Sequence, residues 1–473
     1  MFLTNINPKR DIQKTILAFS LILIIACIPK NCPKEGNTKN LLAGSEKRIE
    51  KYRKRRITIT VLDKFNKPCI GQTVKIQMTN HQFLFGCNLF MFDAFQRSEE
   101  NEKFFELWSK LFNYATIPFY MGIYSPTESQ NQKDRIKRIT SWCRKRGVVT
   151  KGHPLLYHIP LCNPDWLPDD KNLLQPILEK WVKTVIKEFD KDITWWDVIN
   201  EATIAWFYDT PIAKWENAIG NINAALLSLE WVNSTNCEAK CIINDYNVKS
   251  GYWIYEGISK PFRTFQAFLK PNNTYIHSYY KFLSDIIKND GQFQAVGIQS
   301  HMHMRNWDII DVWNIADCYA TLGRPVHFTE VTVLSGKHKI INEKYPQKNL
   351  PWHSTFLGEK NQSEYLKKFY TILFSHPSVE AITWWDFCDR NAWMGAPGGL
   401  VRSDFSTKPA FRTLYNLIKN QWWTNLRSKT DNNGTLSFRG FCGNYDIQID
   451  GLDRKISFFI DCLKDEEQAI TIH

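Results

Sequence analysis

The stretch Thr194-Trp195-Trp196-Asp197-Val198-Ile199-Asn200-Glu201 decides the fold. Its apolar and β-branched residues predict a short buried strand, and this strand ends in an amide followed by a carboxylate. A second run of the same kind, residues 324–330, also ends in a carboxylate. In a barrel of parallel strands, polar residues at the C-terminal ends of the strands face the open mouth. An Asn-Glu pair alone also begins many loops, but two such strand ends predict that Glu201 and Glu330 meet at one end of a barrel.

The remainder of the chain alternates between strand-like and helical patterns. Short apolar runs are separated by amphipathic stretches in which apolar residues recur every fourth position, as at Ile177, Trp181 and Val185. Alternating β and α elements predict a parallel sheet, and eight repeats predict its closure into a (β/α)8 TIM barrel of the α/β class. The eight predicted barrel strands are 83–87, 114–117, 148–153, 194–200, 240–244, 295–301, 326–330 and 379–385.

The segments on either side of the barrel have alternating strand patterns. Residues 57–80 are predicted to form an N-terminal β-hairpin, and residues 424–473 are predicted to form a small C-terminal β module. The barrel itself is expected over residues 81–423. Because the first strand and the last helix of a closed barrel are neighbours, we hypothesise that the two flanking segments build one joint β-subdomain.

The first residues have the pattern of an export sequence. Lys9, Arg10 and Lys14 precede an apolar run that is too short to span a bilayer and ends before Cys27. We interpret residues 1–27 as a signal peptide, either an ordinary secretory one or one of lipoprotein type with Cys27 lipidated. Both alternatives predict an exported protein, extracellular or at the cell surface, and the second adds a membrane anchor. Residues 28–56 are polar and charged without an apolar period, so we expect a flexible tether there.

The composition is that of a globular protein. The 473 residues are 43% hydrophobic and 23% charged, with a net charge of +12. Lysines and arginines are scattered, so the sequence predicts no nucleic-acid partner, although a basic surface would help approach to an acidic polysaccharide or a membrane. Eighteen tryptophans and eighteen tyrosines fit surfaces that stack on sugars, but aromatic side chains also fill cores. Cys442 and Cys462 lie on neighbouring predicted strands, and their pairing stays open. We expect a monomer.

Two glutamates at the ends of two parallel strands meet the requirement of retaining glycoside hydrolysis. That reaction needs one acid/base and one nucleophile, about 5–5.5 Å apart. Glu201 would be the acid/base, with a pKa raised by burial and by the negative charge opposite it. Glu330 would stay ionised and attack the anomeric carbon.

Several strand-end motifs, in order along residues 81–423, resemble those of glycoside hydrolase family 10, the endo-1,4-β-xylanases. The motifs are Gly152-His153-Pro154-Leu155-Leu156-Tyr157-His158, Trp196-Asp197-Val198-Ile199-Asn200-Glu201, Asn244-Asp245-Tyr246-Asn247, Gly297-Ile298-Gln299-Ser300-His301 and His327-Phe328-Thr329-Glu330, with Trp385 and Trp393 after the eighth strand. The resemblance implies a (β/α)8 barrel, activity on xylan and no cofactor.

The same resemblance implies roles for further side chains. His301 is expected to hydrogen-bond the nucleophile, and Asn200 to pair with the 2-hydroxyl of the sugar being cleaved. His153 and His158 are expected to contact that sugar ring. Two histidines five residues apart also fit a metal pair, but no third ligand follows and we expect no metal. The remaining expected substrate-binding residues are Gln299, Tyr246, Trp385 and Trp393.

One stretch departs from the family pattern. After the second barrel strand, the family usually carries a Glu-Asn pair and a nearby lysine that grip the next sugar on the non-reducing side. Residues 117–122, Ile-Pro-Phe-Tyr-Met-Gly, contain none of the three. Each substrate hydroxyl left unpaired would cost about 1–3 kcal/mol. Stacking by Phe119 or by Tyr120 is the alternative to these lost hydrogen bonds.

The sequence therefore predicts a retaining endo-β-1,4-glycanase, with xylan as the leading substrate. Two alternatives stay open: a retaining glycanase for another β-linked polysaccharide, and a catalytically silent glycan-binding protein. The presence of both Glu201 and Glu330 argues against the silent protein, because binding alone does not require two carboxylates.

Overall fold

The computed structural model describes residues 38–123, 129–248, 279–338, 352–451 and 455–472. The predicted signal peptide, including Cys27, lies outside these ranges. Within them, no helix is both long enough and apolar enough to cross a membrane.

Residues 38–56, predicted as part of a tether, form regular structure instead. The first elements are α1 (Thr38–Ala43), α2 (Ser45–Arg53), β1 (Lys54–Val61) and β2 (Thr73–His81). Arg53 is buried, and its guanidinium donates to the carbonyl oxygens of Phe374 at 2.7 Å and Val379 at 2.6 Å. The tether prediction is therefore wrong from Thr38 onward. It failed because the segment is held by scattered contacts, among them Arg53 on buried carbonyl groups and Ile49 in the core, and such contacts leave no periodic apolar stripe in the sequence.

Eight parallel strands form the predicted closed barrel. They are β3 (Leu84–Asn88), β4 (Tyr114–Pro118), β5 (Val149–His153), β7 (Trp195–Asn200), β8 (Lys240–Asp245), β9 (Ala295–Met302), β10 (Val326–Val333) and β11 (Val379–Trp384), with the short β6 (Leu156–Tyr157) beside β7. Pairing of β11 with β3 and of β5 with β7 closes the cylinder. The (β/α)8 fold is confirmed, and every predicted barrel strand is present with slightly different bounds.

Amphipathic helices surround the barrel and cover the apolar outer faces of its strands. They are α3 (Ser98–Ser109), α4 (Ser129–Arg144), α5 (Lys171–Glu188), α6 (Pro211–Ile219), α7 (Asn221–Thr235), α8 (Tyr279–Lys288), α9 (Ile309–Ala320), α10 (Phe356–Ser375) and α11 (Pro409–Tyr415). Of the predicted stripe of α5, Val185 is buried, whereas Ile177 and Trp181 are only half-buried; the buried face is shifted by one residue and includes Leu178 and Val182. Asp170 caps this helix by accepting a hydrogen bond from the backbone of Asn172 at 2.7 Å.

The interior of the barrel changes from apolar to polar along the strands. An apolar layer is built from residues near the N-terminal ends of the barrel strands: Tyr114, Trp195, Ile242, Ala295 and Ala381, with Leu84 and Val149 packed against them. Side chains two positions apart share one face of a strand, so Lys151 and Asp197 lie one step above this layer, and His153 lies one step higher. Lys151 and Asp197 are fully buried and form an ion pair at 2.7 Å. A charged column thus runs up inside the barrel to its mouth.

The flanking segments build the predicted joint β-subdomain. The tail strands are β12 (Asn425–Lys429), β13 (Thr435–Phe441), β14 (Gly443–Ile449), β15 (Lys455–Ile460) and β16 (Glu467–Ile472). One sheet has the order β13-β1-β16 and the other the order β12-β2-β14-β15. The joint subdomain is confirmed, but the predicted hairpin over residues 57–80 is wrong, because β1 and β2 enter different sheets. Tail strands occupy the edges through which a hairpin would have paired.

A disulfide joins Cys442 and Cys462 within this subdomain. The sequence left this pairing open. Antiparallel pairing of β14 with β15 brings the two cysteines together, since Gly443 is opposite Ile460.

Candidate active site

Glu201 and Glu330 lie in one cleft of about 600 Å³ at the C-terminal mouth of the barrel. Glu201 follows β7 directly, and its backbone is left-handed (φ 56°, ψ 31°). This conformation costs a non-glycine residue roughly 1–3 kcal/mol and is typical of functional sites. In β10 the register with β9 shifts between Phe328 and Glu330, an irregularity that redirects side chains. Both carboxylates are therefore aimed into the cleft by local departures from regular strand geometry.

Two amide side chains connect the carboxylates. Asn200 donates through Nδ2 to Glu201 Oε1 at 3.2 Å, and its own Oδ1 accepts from Asn244 Nδ2 at 2.8 Å. The same Asn244 nitrogen donates to Glu330 Oε1 at 2.8 Å. Thr329 donates to Asn244 Oδ1 at 2.5 Å, which fixes the orientation of that amide. The two glutamates are thus held relative to each other by a short hydrogen-bonded path.

Burial raises the pKa of Glu201 well above its usual range. The negative charges of Asp245 and Glu330 add to this effect, while hydrogen bonds from Tyr157 and Gln299 oppose it. Gln299 donates through Nε2 to Glu201 Oε1 at 3.0 Å. A carboxyl group in this environment keeps its proton to higher pH, as a general acid must.

The pKa of Glu330 is lowered although it is equally buried. Burial alone would raise this pKa, but His153, His301 and Lys151 outweigh the effect. His301 Nε2 lies 3.0 Å from Glu330 Oε2, and since an ionised carboxylate has no hydrogen to give, the histidine donates. Thr332 Oγ1 lies 2.9 Å from the other ring nitrogen and fixes the ring. Glu330 is therefore held ionised, as a nucleophile must be.

The charged column in the barrel ends at Glu330. Asp197 Oδ2 lies 2.7 Å from both Lys151 Nζ and His153 Nδ1. His153 Nδ1 lies 3.9 Å from Glu330 Oε1. Burial acts to raise the pKa of Asp197, but Lys151 and His153 outweigh it and the pKa is lowered. The column thus brings His153 and Lys151 beneath Glu330, and both act to lower the pKa of that carboxyl group.

His158 is not placed against a sugar. It is fully buried beside Tyr157 and Tyr208, at ring distances of 5.2 and 4.7 Å, with Glu216 3.5 Å from its Nδ1. The expectation that His158 contacts the substrate is therefore wrong. His158 instead packs behind the aromatic side chains that line the cleft. His153 and Asn200 are also almost fully buried and lie directly behind the carboxylates.

Aromatic side chains form the walls of the cleft. Tyr246, Trp385 and Trp393 line it, as the family resemblance implied. Trp393 is 47% exposed and packs over His301 at a ring distance of 4.6 Å, so it offers a face on which a sugar can stack. Trp385 is buried against the same histidine at 5.6 Å.

Phe119 and Tyr120, the two aromatic residues in the stretch 117–122 that differs from the family pattern, have different positions. Phe119 is fully buried and packs on Phe189 and Trp196, at ring distances of 5.2 and 4.8 Å, so stacking by Phe119 is excluded. Tyr120 lines the cleft at a ring distance of 5.7 Å from His153.

Three side chains that contact or influence the two carboxyl groups had no assigned role from the sequence: Asn244, Tyr157 and Lys151. Asn244 and Tyr157 lie within the quoted motifs, and Asn244 had the informative feature of an amide at a predicted strand end. Lys151 could have been found as a charged residue two positions before His153 on the same strand face. Across the part of the chain that the structure describes, no group of three or more His, Cys, Asp or Glu side chains is arranged to hold a metal ion.

The chain belongs to glycosyl hydrolase family 10, whose family model matches residues 93–417. This match lies inside the region of the motif resemblance.

Relatives and solved structures are similar to most of the chain. Anti-sigma-I factor RsgI6 of Acetivibrio thermocellus is 25% identical over 411 residues, which are 86% of this chain and 46% of that protein. Endo-1,4-beta-xylanase B of Thermotoga neapolitana is 24% identical over 336 residues, 67% of this chain and 84% of that enzyme. The crystal structure of xylanase 10B from Thermotoga maritima superposes with a TM-score of 0.54 at 20% identity, covering 72% of this chain and 96% of that one. This chain therefore spans less than half of RsgI6 and most of the two xylanases.

Proposed function

We propose that the protein is a retaining endo-β-1,4-glycanase that hydrolyses β-1,4-xylosidic bonds in xylan. The observation that carries the proposal is the opposite pKa shift of two carboxyl groups in one cleft. The pKa of Glu201 is raised and that of Glu330 is lowered, so that a pH range exists in which the first is protonated and the second ionised.

In the first step, Glu330 attacks the anomeric carbon and Glu201 gives its proton to the departing glycosidic oxygen. The bond to the leaving sugar breaks, and a covalent glycosyl-enzyme forms on Glu330. Asn244 and His301 hold the attacking carboxylate in one orientation through the 2.8 and 3.0 Å contacts. Asn200 lies between the carboxylates, where it would pair with the sugar 2-hydroxyl as positive charge develops on the ring.

In the second step, Glu201 acts as a base. Having lost its proton, it takes one from a water molecule, whose oxygen attacks the anomeric carbon and releases Glu330. Two displacements at one carbon leave its configuration unchanged. Gln299 and Tyr157 remain hydrogen-bonded to Glu201 in its charged form and stabilise it between the steps.

Xylan is proposed as the backbone because both the Thermotoga relatives are named as xylanases. The tests are reducing-sugar release from xylan, mannan and β-glucan, each as a soluble polymer. Release from xylan alone is expected. Release from another polymer instead would support a glycanase with a different backbone sugar, and release from none would support a silent glycan-binding protein.

Two variants separate the proposed roles of the glutamates. Glu330→Ala should remove nearly all turnover on every substrate. Glu201→Ala should strongly reduce hydrolysis of xylan but spare aryl xylosides with good leaving groups, since these need little protonation. Equal losses on both substrate types would contradict the assignment.

We further propose that the protein is exported and acts as a monomer, either free or held to a membrane through lipid on Cys27. Two observations support export. In residues 1–27, basic residues precede an apolar run, as in a signal peptide. The Cys442–Cys462 disulfide also supports export, because disulfides persist in oxidising compartments. Mass spectrometry of the mature N-terminus distinguishes a diacylated Cys27 from an unmodified secretory cleavage site. If cell fractionation found the protein inside the cell with residues 1–27 still attached, export would be contradicted.

A further inference from the structure

One side of the cleft is apolar where a polysaccharide site would be expected to offer hydrogen bonds. The side chains that line it, here called the apolar wall, are Phe90, Tyr120, Ile123, Tyr157, Ile159 and Leu161. Ile123 is 37% exposed and Leu161 is 48% exposed. Exposed apolar groups clustered at a binding cleft indicate that the ligand brings an apolar surface of its own.

The wall is built by a close approach of two loops. A Cβ atom on Gly122 would lie 2.2 Å from the carbonyl oxygen of Leu161, so only glycine allows this contact. The contact brings together the loop that follows β4, which carries Ile123, and the turn that carries Leu161. Phe90 completes the wall, with its ring 6.0 Å from that of Tyr120 and 5.3 Å from that of Trp385.

Two polar side chains on this side of the cleft, Arg135 and Asn88, form hydrogen bonds within the protein, and Gln132 also lines the cleft. Arg135 Nη2 donates to the carbonyl oxygens of Phe90 at 2.7 Å and Phe92 at 3.1 Å. Asn88 Oδ1 accepts from the backbone of Phe90 at 3.3 Å. A free sugar hydroxyl that loses its hydrogen-bonded water against the apolar side chains of this wall finds few protein groups to replace that hydrogen bond.

The wall begins close to the reacting groups. The ring of Tyr120 lies 5.7 Å from that of His153, and His153 lies 3.9 Å from Glu330. Tyr157 hydrogen-bonds Glu201. A substituent that meets the wall at Tyr120 or Tyr157 therefore sits on a sugar at or next to the bond being cleaved.

From this geometry, and on the basis of the proposed function, we infer that the wall binds an acyl group esterified to a xylose hydroxyl. An ester removes the hydroxyl donor that would go unpaired, carries no charge and presents a methyl group or longer apolar chain to Ile123 and Leu161. The natural substrate would be O-acylated xylan, with acetyl as the smallest substituent. The glycosidic bond is cleaved between Glu201 and Glu330, and the ester passes into the product intact.

The direct test compares soluble O-acetylated xylo-oligosaccharides with the same preparation after mild alkaline deacetylation. We expect kcat/KM to be higher on the acetylated material by about fourfold or more, the gain for burying one methyl-sized group. An equal or higher kcat/KM on the deacetylated material overturns the inference and leaves the proposed function standing. Hydrolysis of neither preparation overturns both.

Matched substitutions test the location of the acyl group. Leu161→Asn should lower the ratio of kcat/KM on acetylated to deacetylated substrate by about fourfold, and Ile123→Asn should act in the same direction. Leu173→Asn is the control, since Leu173 is 62% exposed on α5 outside the cleft. The ratio should be unchanged in this control. If both cleft variants fold, as judged by thermal unfolding, and keep the ratio of the control, the inference is refuted.

Discussion

Replacement of Lys151 by methionine tests the charged column under the nucleophile. Lys151 is fully buried, and its ammonium lies 2.7 Å from Asp197 Oδ2. Removing one partner of a buried ion pair costs about 3–5 kcal/mol when the remaining charge has no other partner, and here Asp197 would keep only His153, at 2.7 Å. Lys151→Met should therefore lower the free energy of unfolding by up to that amount. Asp197→Asn added to Lys151→Met should recover much of the loss, because the buried carboxylate that has lost its lysine is then removed.

The pH dependence of the same variant has a defined direction. In the folded protein the pKa of Asp197 is lowered, so its ionised form stabilises the fold above its unfolded pKa, and this contribution is lost as the pH falls through the folded value. Without Lys151 that contribution shrinks. Lys151 also lowers the pKa of Glu330, so the acidic limb of kcat/KM should move to higher pH in the variant.

Urea unfolding and a pH-rate profile on soluble xylan measure both effects. Lys183→Met is the matched control, because Lys183 pairs with Glu179 at 2.6 Å on the exposed face of α5. Exposed pairs of this kind contribute about 0.3–0.5 kcal/mol. If Lys151→Met changed stability no more than Lys183→Met and left the acidic limb in place, the column would have no energetic role.

Three further outcomes follow from the site and the flanking elements. Gln299→Leu removes a hydrogen bond that lowers the pKa of Glu201, so the alkaline limb of kcat/KM should move to higher pH; an unmoved limb in the pH-rate profile would contradict this. Replacing both Cys442 and Cys462 by serine should lower the free energy of unfolding by about 3 kcal/mol in urea, with activity per folded molecule retained. Arg53→Met leaves buried carbonyl groups without a donor and should destabilise by about 3 kcal/mol or more, whereas the exposed Arg427→Met should change stability by less than about 1 kcal/mol.

The barrel and the meeting of Glu201 and Glu330 at its mouth were predictable because their determinants are local. A buried parallel strand is an apolar run of a few residues, and the polar residue that ends it faces the mouth whatever the loops do. For this reason two short stretches were enough to place Glu201 and Glu330 at the mouth of the barrel. The same reasoning could have placed Asn244 there.

Features that depend on distant partners were not predictable. The side chain of His158 faces Glu216, 58 positions later, and not the cleft. β1 and β2 look like a hairpin until the tail strands supply competing edges. Whether Phe119 or Tyr120 faces the cleft is set by packing of Phe119 on Trp196, which a single sequence does not reveal.

The central claim is that Glu330 forms a covalent bond with the sugar, and that Glu201 assists both the formation and the hydrolysis of this bond. Glu201→Ala should accumulate this species on an aryl β-xyloside with a good leaving group, because the first step then needs no acid and the second lacks its base. Intact-protein mass spectrometry after rapid quenching, followed by peptide mapping, is the measurement. We expect one glycosyl adduct on the peptide that contains Glu330. An adduct on another residue, or turnover with inversion and no adduct, would contradict the mechanism.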